Sequence, residues 1–217
     1  VRCRERTRDS KTGASRTNMQ TFPRHAALLI IDVQDGFDAP RWGRRNNPAM
    51  ESRIVELLAA WRASGRPVIH AKHMSPDPTS PLRPGQPGNA FKAVVAPRDG
   101  EIVIEKRVHS CLIGTPLEAE LRRRGHDTLV IVGMMTNHCV STTARMAGNL
   151  GFAAWVVSDA TATFDRVGHD GTAYSAEQIH AMALCDIHGE FGVVVDTATV
   201  LSAIGHSARA GAAGEYP

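Results

Sequence analysis

At 217 residues the chain is long enough for one α/β domain with a sizeable core. Its 25 basic and 22 acidic side chains leave a formal charge of only +3, too little to mark the whole protein as a binder of nucleic acid. No apolar run is long enough to span a bilayer.

The excess charge is local. Residues 1–18 hold Arg2, Arg4, Arg6, Arg8, Lys11 and Arg16 against Glu5 and Asp9, a balance of about +4 that leaves the body at about −1. This stretch reads as a solvated leader rather than a nucleic-acid arm, and it has no apolar core of the kind a signal peptide carries. Met19, just before the first patterned segment, is the expected natural start. The four cysteines, Cys3, Cys111, Cys139 and Cys185, show no C-x-x-C spacing, which argues against a zinc ribbon or disulfide framework and makes a reducing cytoplasm the expected compartment.

Ala26–Val33 is an apolar run that predicts a first buried strand, with Asp32 at its C-terminal end. A carboxylate there is costly without a partner or a task; capping the next turn is the plainer alternative. Asn47-Pro48 reads as a helix N-cap followed by proline in the first turn. Met50, Ile54, Leu57, Leu58 and Trp61 then recur at helical spacing up to Gly65, a stripe read as core. Pro67–His70 predicts a second strand. Residues 73–100 carry six prolines; a loop this long in a compact domain is usually functional, as a lid or a subunit contact. His70 and His73 invite a metal reading, but histidines satisfied by backbone groups are the expectation, because no Asp-x-His or His-x-x-x-His spacing accompanies them.

Glu101–Glu105 predicts a third strand, which places Lys106 at its end, on the edge shared with Asp32; a surface lysine is the plainer reading. Thr115-Pro116 opens a helix that closes at Gly125. Thr128–Val132 is unbroken and β-branched, as in a strand buried on both faces. It stops at Gly133, after which Thr136 or Asn137 is placed to cap a helix. Cys139 falls in or beside the first turn, where free N–H groups and the helix dipole favour thiolate. That is the setting of a nucleophile, although most free cysteines are simply packed.

Ala153–Val157 predicts a fifth strand, with Asp159 tying its end loop. Tyr174–His188 predicts an amphipathic helix with Ala176, Ile179, Met182, Ala183 and Ile187 inward and Cys185 packed. Phe191–Val195 and Thr197–Ile204 close the fold as strand and helix. The alternation predicts one α/β domain with a mostly parallel sheet. The expected boundaries are a basic leader over 1–23, one domain over 24–204 and a frayed tail over 205–217.

IIDVQDGF at 30–37, EK at 105–106, GT-x-L-x-x-x-L-x-x-x-G at 114–125, VGMMTNHCVSTTARMAGNLGF at 132–152 and SDA at 158–160 together resemble the isochorismatase-like cysteine hydrolases. The resemblance covers about residues 24–200. It implies a single-domain Rossmann-like three-layer sandwich with a six-stranded parallel sheet, and a catalytic triad of Asp32, Lys106 and Cys139. It also implies a cis peptide at Met134–Met135 that aims the N–H groups of Met135 and Cys139 at an oxyanion. In the implied mechanism Lys106 orients Asp32, Asp32 takes the thiol proton and later passes it to the departing nitrogen, and Asp32 then activates the water that hydrolyses the thioester.

Two departures bear on the substrate. Relatives carry S-A-F where this chain has Ser110-Cys111-Leu112, and nicotinamidase-like members carry Asp-x-His where it has His70-Ala71-Lys72-His73. No metal and no cofactor are therefore expected. The expected pocket comprises Phe37, Trp42, Phe91, Leu112, Met135 and His138, of which Phe37 alone is supported by the resemblance. The expected partner is a small amide or lactam, with no nucleic acid and no membrane, and the family suggests a homodimer or homotetramer. Hydrolysis of a small carboxamide, N-carbamoyl compound or lactam is the leading reading. An isochorismatase-type vinyl ether hydrolase, a metal-assisted nicotinamidase and a non-catalytic scaffold are the alternatives.

Overall fold

The computed structural model describes residues 22–212; the expectations for residues 1–21 and for 213–217 lie outside the described residues. Six parallel strands form one sheet: β1 (Ala27–Ile31), β2 (Val68–His73), β3 (Ile102–Lys106), β4 (Thr128–Met134), β5 (Ala153–Ala162) and, beyond a short antiparallel hairpin of β6 (Arg166–Val167) with β7 (Ala173–Tyr174), β8 (Val193–Val195). The spatial order is β3-β2-β1-β4-β5-β8, so the chain reverses direction across the sheet between β1 and β4. In such sheets ligands bind outside the carboxyl ends of the strands at that reversal.

Alternation along the central strands assigns the two faces. Leu28 and Ile30 of β1 with Val130 and Val132 of β4 pack under α1 (Met50–Ala63) and α5 (Thr197–Ala212). Leu29, Ile31, Leu129 and Ile131 face the other layer, α2 (Leu117–Arg124), α3 (Ser141–Asn149) and α4 (Ala176–Ile187). Both strands are buried throughout, which is why they read as continuous apolar runs. Each fully buried Leu or Ile contributes about 1.5–3 kcal/mol. The α1 stripe Met50, Ile54, Leu57, Leu58 and Trp61 is buried as expected. Among the described residues no helix is long and apolar enough to cross a membrane.

Several local expectations are corrected. Asn47 is not the N-cap of α1; its backbone is left-handed (φ 45°), and its amide donates to the carbonyls of Ser158 and Thr161 at 2.9 and 2.7 Å. Those two carbonyls flank the irregular stretch of β5, where pairing with β4 jumps from Ile131↔Val156 to Gly133↔Thr161. Thr136 and Asn137 cap nothing: Thr136 Oγ1 meets His180 Nδ1, and Asn137 Oδ1 accepts from Thr163 Oγ1. Met182 and Cys185 face outward on α4, because the helix rests on Ala176, Ala183 and Ile187. The last helix runs to Ala212, past the expected end at Ile204. β5 runs on to Ala162 rather than ending at Val157, and Asp159, within it, accepts the N–H and hydroxyl of Thr197, the first residue of α5.

β4 also continues through Gly133 rather than stopping there. Gly133 has φ 110°, and a Cβ at this position would lie 2.1 Å from the carbonyl oxygen of Ile31. Only glycine lets β4 stay against β1 here, and that approach sets the level of the turn carrying Cys139.

Candidate active site

Asp32, Lys106 and Cys139 come from the carboxyl ends of β1, β3 and β4, three strands separated in sequence and gathered by the sheet order. Asp32 follows β1 with φ 53°, a left-handed conformation uncommon for a residue other than glycine. Lys106 is the last residue of β3 and lies in register beside His73, the last residue of β2. Cys139 lies in a π-helical turn, Thr136–Val140, that runs directly into α3. The peptide between Met134 and Met135 is cis, as the resemblance implies.

Lys106 occupies the centre. Its Nζ lies 2.6 Å from Asp32 Oδ2, 3.2 Å from Cys139 Sγ and 3.3 Å from His73 Nδ1, so each of the three ammonium protons has an acceptor. Burial disfavours the ammonium, but the charge of Asp32 more than reverses this, and Lys106 titrates above its ordinary value. The other carboxylate oxygen, Asp32 Oδ1, is buried and has no hydrogen-bond partner. An unsatisfied buried carboxylate oxygen is costly, and it is a free acceptor beside the thiol.

Opposing effects act on Cys139. Burial, then the charge of Asp32, push its thiol well up, and Lys106 only partly offsets them. Both effects oppose the turn's N–H groups, which favour the thiolate. Cys111 is fully enclosed and pushed up to about 12, chiefly by burial.

Asp32 and Cys139 form the floor of a cavity of about 270 Å³. Phe37 and Trp42, ring centroids 5.3 Å apart, wall one side. His73, His109, Met135 and His138 line it as well, Arg41 and Arg166 bring cations to it, and Ser75, Asp77, Ser80 and Leu82 descend from the proline-rich loop. That loop is folded onto the site rather than standing away from it. Buried Gln34 accepts the His73 N–H at 2.9 Å and donates to the carbonyls of His73 and Asn89, and Asn89 in turn donates to those of His73 and Leu82. Gly36 and Gly88 meet so closely that a Cβ on Gly36 would lie 2.8 Å from the Gly88 carbonyl oxygen. Larger clefts elsewhere, such as one of about 510 Å³ between α3 and α4, hold no comparable cluster of nucleophile, carboxylate and ammonium.

Of the six expected pocket residues, Phe37, Trp42, Met135 and His138 line the cavity; Phe91 and Leu112 do not. Phe91 stands edge-on to His70 with Lys72 over its ring, drawn there by a backbone bridge to Gln34. Leu112 is buried in the core beneath α2 and α3, in a turn fixed by the Cys111 N–H donating to Thr143 Oγ1. His70 Nε2 meets the Glu101 carboxylate at 2.8 Å rather than a backbone group, while its buried Nδ1 has no hydrogen-bond partner among the described residues.

The sequence reading missed His73 as a site residue, and it missed His109. His109 Nδ1 lies 3.4 Å from Cys139 Sγ, and its ring stands between those of His73 (6.0 Å, interplanar 13°) and His138 (5.4 Å, 56°). His138 is held down to about 4 by burial, by Arg166 and by His109, and burial followed by Lys106 lowers His73. Asp32, His73 and Cys139 offer ligand atoms within 4.8 Å of one another. The cation position among them is taken by the Lys106 ammonium, which touches all three, so the set does not fit a metal ion.

The comparisons agree with this architecture. The isochorismatase domain model matches residues 26–199. The uncharacterized isochorismatase family protein YrdC of Bacillus subtilis is 45% identical over 171 residues, 79% of this chain and 91% of its own length. Ureidoacrylate amidohydrolase RutB of Methylobacterium radiotolerans is 30% identical over 224 aligned residues, 87% of this chain and 83% of its own. A crystal structure from Chromobacterium violaceum, described as a hydrolase of the isochorismatase family, superposes with a TM-score of 0.83 at 46% identity, covering 86% of this chain and 97% of that one. With its parallel sheet, its carboxyl-edge cavity and these relatives, the chain belongs to the isochorismatase family of hydrolases.

Proposed function

We propose that this enzyme hydrolyses a C–N bond in a small non-peptide amide, meaning a carboxamide, an N-carbamoyl compound or a lactam, through a thioester on Cys139. The observation that carries the reading is the unpartnered Asp32 Oδ1 in one buried group with the Lys106 ammonium and the Cys139 thiol. A thiol with a raised pKa is a poor nucleophile until its proton is removed. Asp32 takes that proton as Sγ attacks the carbonyl carbon, and Lys106 orients Asp32 for it. The N–H groups of Met135 and Cys139 receive the oxyanion. Collapse breaks the C–N bond, releases the amine or ammonia, and leaves the acyl group on sulfur for water to remove.

Vinyl ether hydrolysis proceeds by protonation and has no use for a thiol. The amidohydrolase activity named for RutB favours the amide class, and a cavity of about 270 Å³ suits a compact substrate. The test is mass spectrometry of a panel of small amides, ureides and lactams with wild-type and Cys139→Ala protein. Ammonia loss dependent on Cys139 supports an open-chain amidohydrolase, and gain of one water with nothing lost supports a lactamase-type ring opening. Turnover undiminished in Cys139→Ala overturns the mechanism.

A further inference from the structure

The proton acceptors around the sulfur differ in their access to solvent. Asp32 is 0% exposed, and one of its oxygens is held by Lys106 at 2.6 Å. His109 also reaches the sulfur, 3.4 Å away, yet it is an exposed residue that lines the cavity. The leaving amine must depart, and the hydrolytic water must arrive, through the open side of that cavity. His109 is the imidazole on that side; its ring stacks on that of His73 and meets that of His138 at a tilt of 56°.

We propose that the two proton transfers of the reaction are divided, Asp32 serving the sulfur and His109 serving the departing nitrogen and the attacking water. The proposal rests on the acyl-enzyme reading above. In acylation, the Sγ–H proton passes to Asp32 Oδ1 as sulfur bonds to the carbonyl carbon. The imidazolium of His109 gives its Nδ1 proton to nitrogen as the C–N bond breaks. In deacylation, neutral His109 takes a proton from water as the water oxygen bonds to the acyl carbon. The C–S bond then breaks, and Asp32 returns the first proton to sulfur. Every group ends as it began. An imidazole suits the second role because one ring nitrogen can both give and accept a proton.

A p-nitrophenyl ester separates the steps, since nitrophenolate leaves without a proton. With p-nitrophenyl acetate, wild-type enzyme is expected to give a burst of nitrophenolate followed by slower steady turnover. His109→Gln is expected to keep the burst rate and lose about 10²-fold of the steady rate, with acetyl-Cys139 accumulating in the intact mass. Added imidazole is expected to restore the steady rate of His109→Ala without changing its burst. Equal loss of burst and steady rate in His109→Gln would show a merely structural role and overturn the proposal, as would an unchanged steady rate. Absence of a burst and of any Cys139 adduct in the wild type would instead overturn the acyl-enzyme reading itself.

Discussion

The Lys106 ammonium lies 2.6 Å from Asp32 Oδ2, and neither side chain has any exposed surface. An ion pair with no water around it is stable only while both members are present. Lys106→Met is therefore expected to destabilise the fold by about 3–5 kcal/mol, because it leaves an uncompensated carboxylate in the core, and to abolish turnover. Asp32→Asn combined with Lys106→Met should cost less than the two single changes added. Urea unfolding of the four proteins measures this; strict additivity would show that the pair is not coupled.

The three cysteines among the described residues should label in an order set by their exposure and surroundings. Cys185 is exposed and is expected to react first with iodoacetamide at neutral pH. Cys139, raised by burial and Asp32, should react slowly there and gain about tenfold per pH unit on the alkaline side, following the thiolate fraction. Cys111, held up at about 12 by burial, should stay unmodified until the protein unfolds. Peptide mapping across a pH series reads all three. Fast labelling of Cys139 at pH 7 would mean that the Lys106 charge outweighs burial.

Gly133→Ala is expected to be poorly tolerated. The added methyl would meet the Ile31 carbonyl oxygen at 2.1 Å, from a backbone at φ 110°, so β4 must move away from β1 and carry the Cys139 turn with it. A loss of about 3 kcal/mol or more, with loss of activity, is the expected outcome. A melting curve matching that of the wild type would contradict it.

Acid should weaken the fold through the Arg62–Glu101–His70 group behind the site. Burial raises the Glu101 carboxyl, but hydrogen bonds from Arg62, the Arg98 amide and His70 hold it down to about 2. A lowered carboxyl contributes stability above its ordinary value of 4.5, and that contribution is lost as pH falls toward 2. His70 is lowered by burial against the pull of Glu101; its contribution is present above 6.5 and is lost on acidification as the unfolded chain takes up the proton. Both act in the same direction. Urea midpoints should fall on going from pH 6.5 to 2, and Glu101→Gln should start lower and flatten the part of the curve below 4.5.

The strands and the order of the fold were legible because parallel strands buried on both faces write their burial as unbroken apolar runs, as Thr128–Val132 does. Asp32, Lys106 and Cys139 were legible from their places along the strands: Asp32 follows such a run, Lys106 ends the edge strand β3, and Cys139 sits in the turn after β4. His73 was not, because the second strand was read as ending at His70. It continues to His73, and the register then sets His73 directly beside Lys106, a signal available once the strand is drawn to its full length. His109 lies in the turn after β3, where no periodicity points to it, and only the packing of Cys139 against that turn makes it a site residue. Phe91 and Leu112 failed for the converse reason. Nearness to the right sheet edge in sequence says nothing of which way a loop side chain turns, and hydrogen bonds of Gln34 and Thr143 settle that locally. Asn47 looked like a cap from its type and place, yet its amide serves the carbonyls of Ser158 and Thr161 more than a hundred residues away, a partner no local pattern contains.

The central claim is the covalent one, that an acyl group is carried on Cys139. Its most direct measurement is a rapid acid quench of the enzyme during turnover of its best amide, followed by intact mass and peptide mapping. The account predicts an added acyl mass confined to the peptide containing Cys139, removed by hydroxylamine, and absent together with turnover in Cys139→Ala. Turnover that persists in Cys139→Ala, with no covalent mass at any quench time, would contradict it.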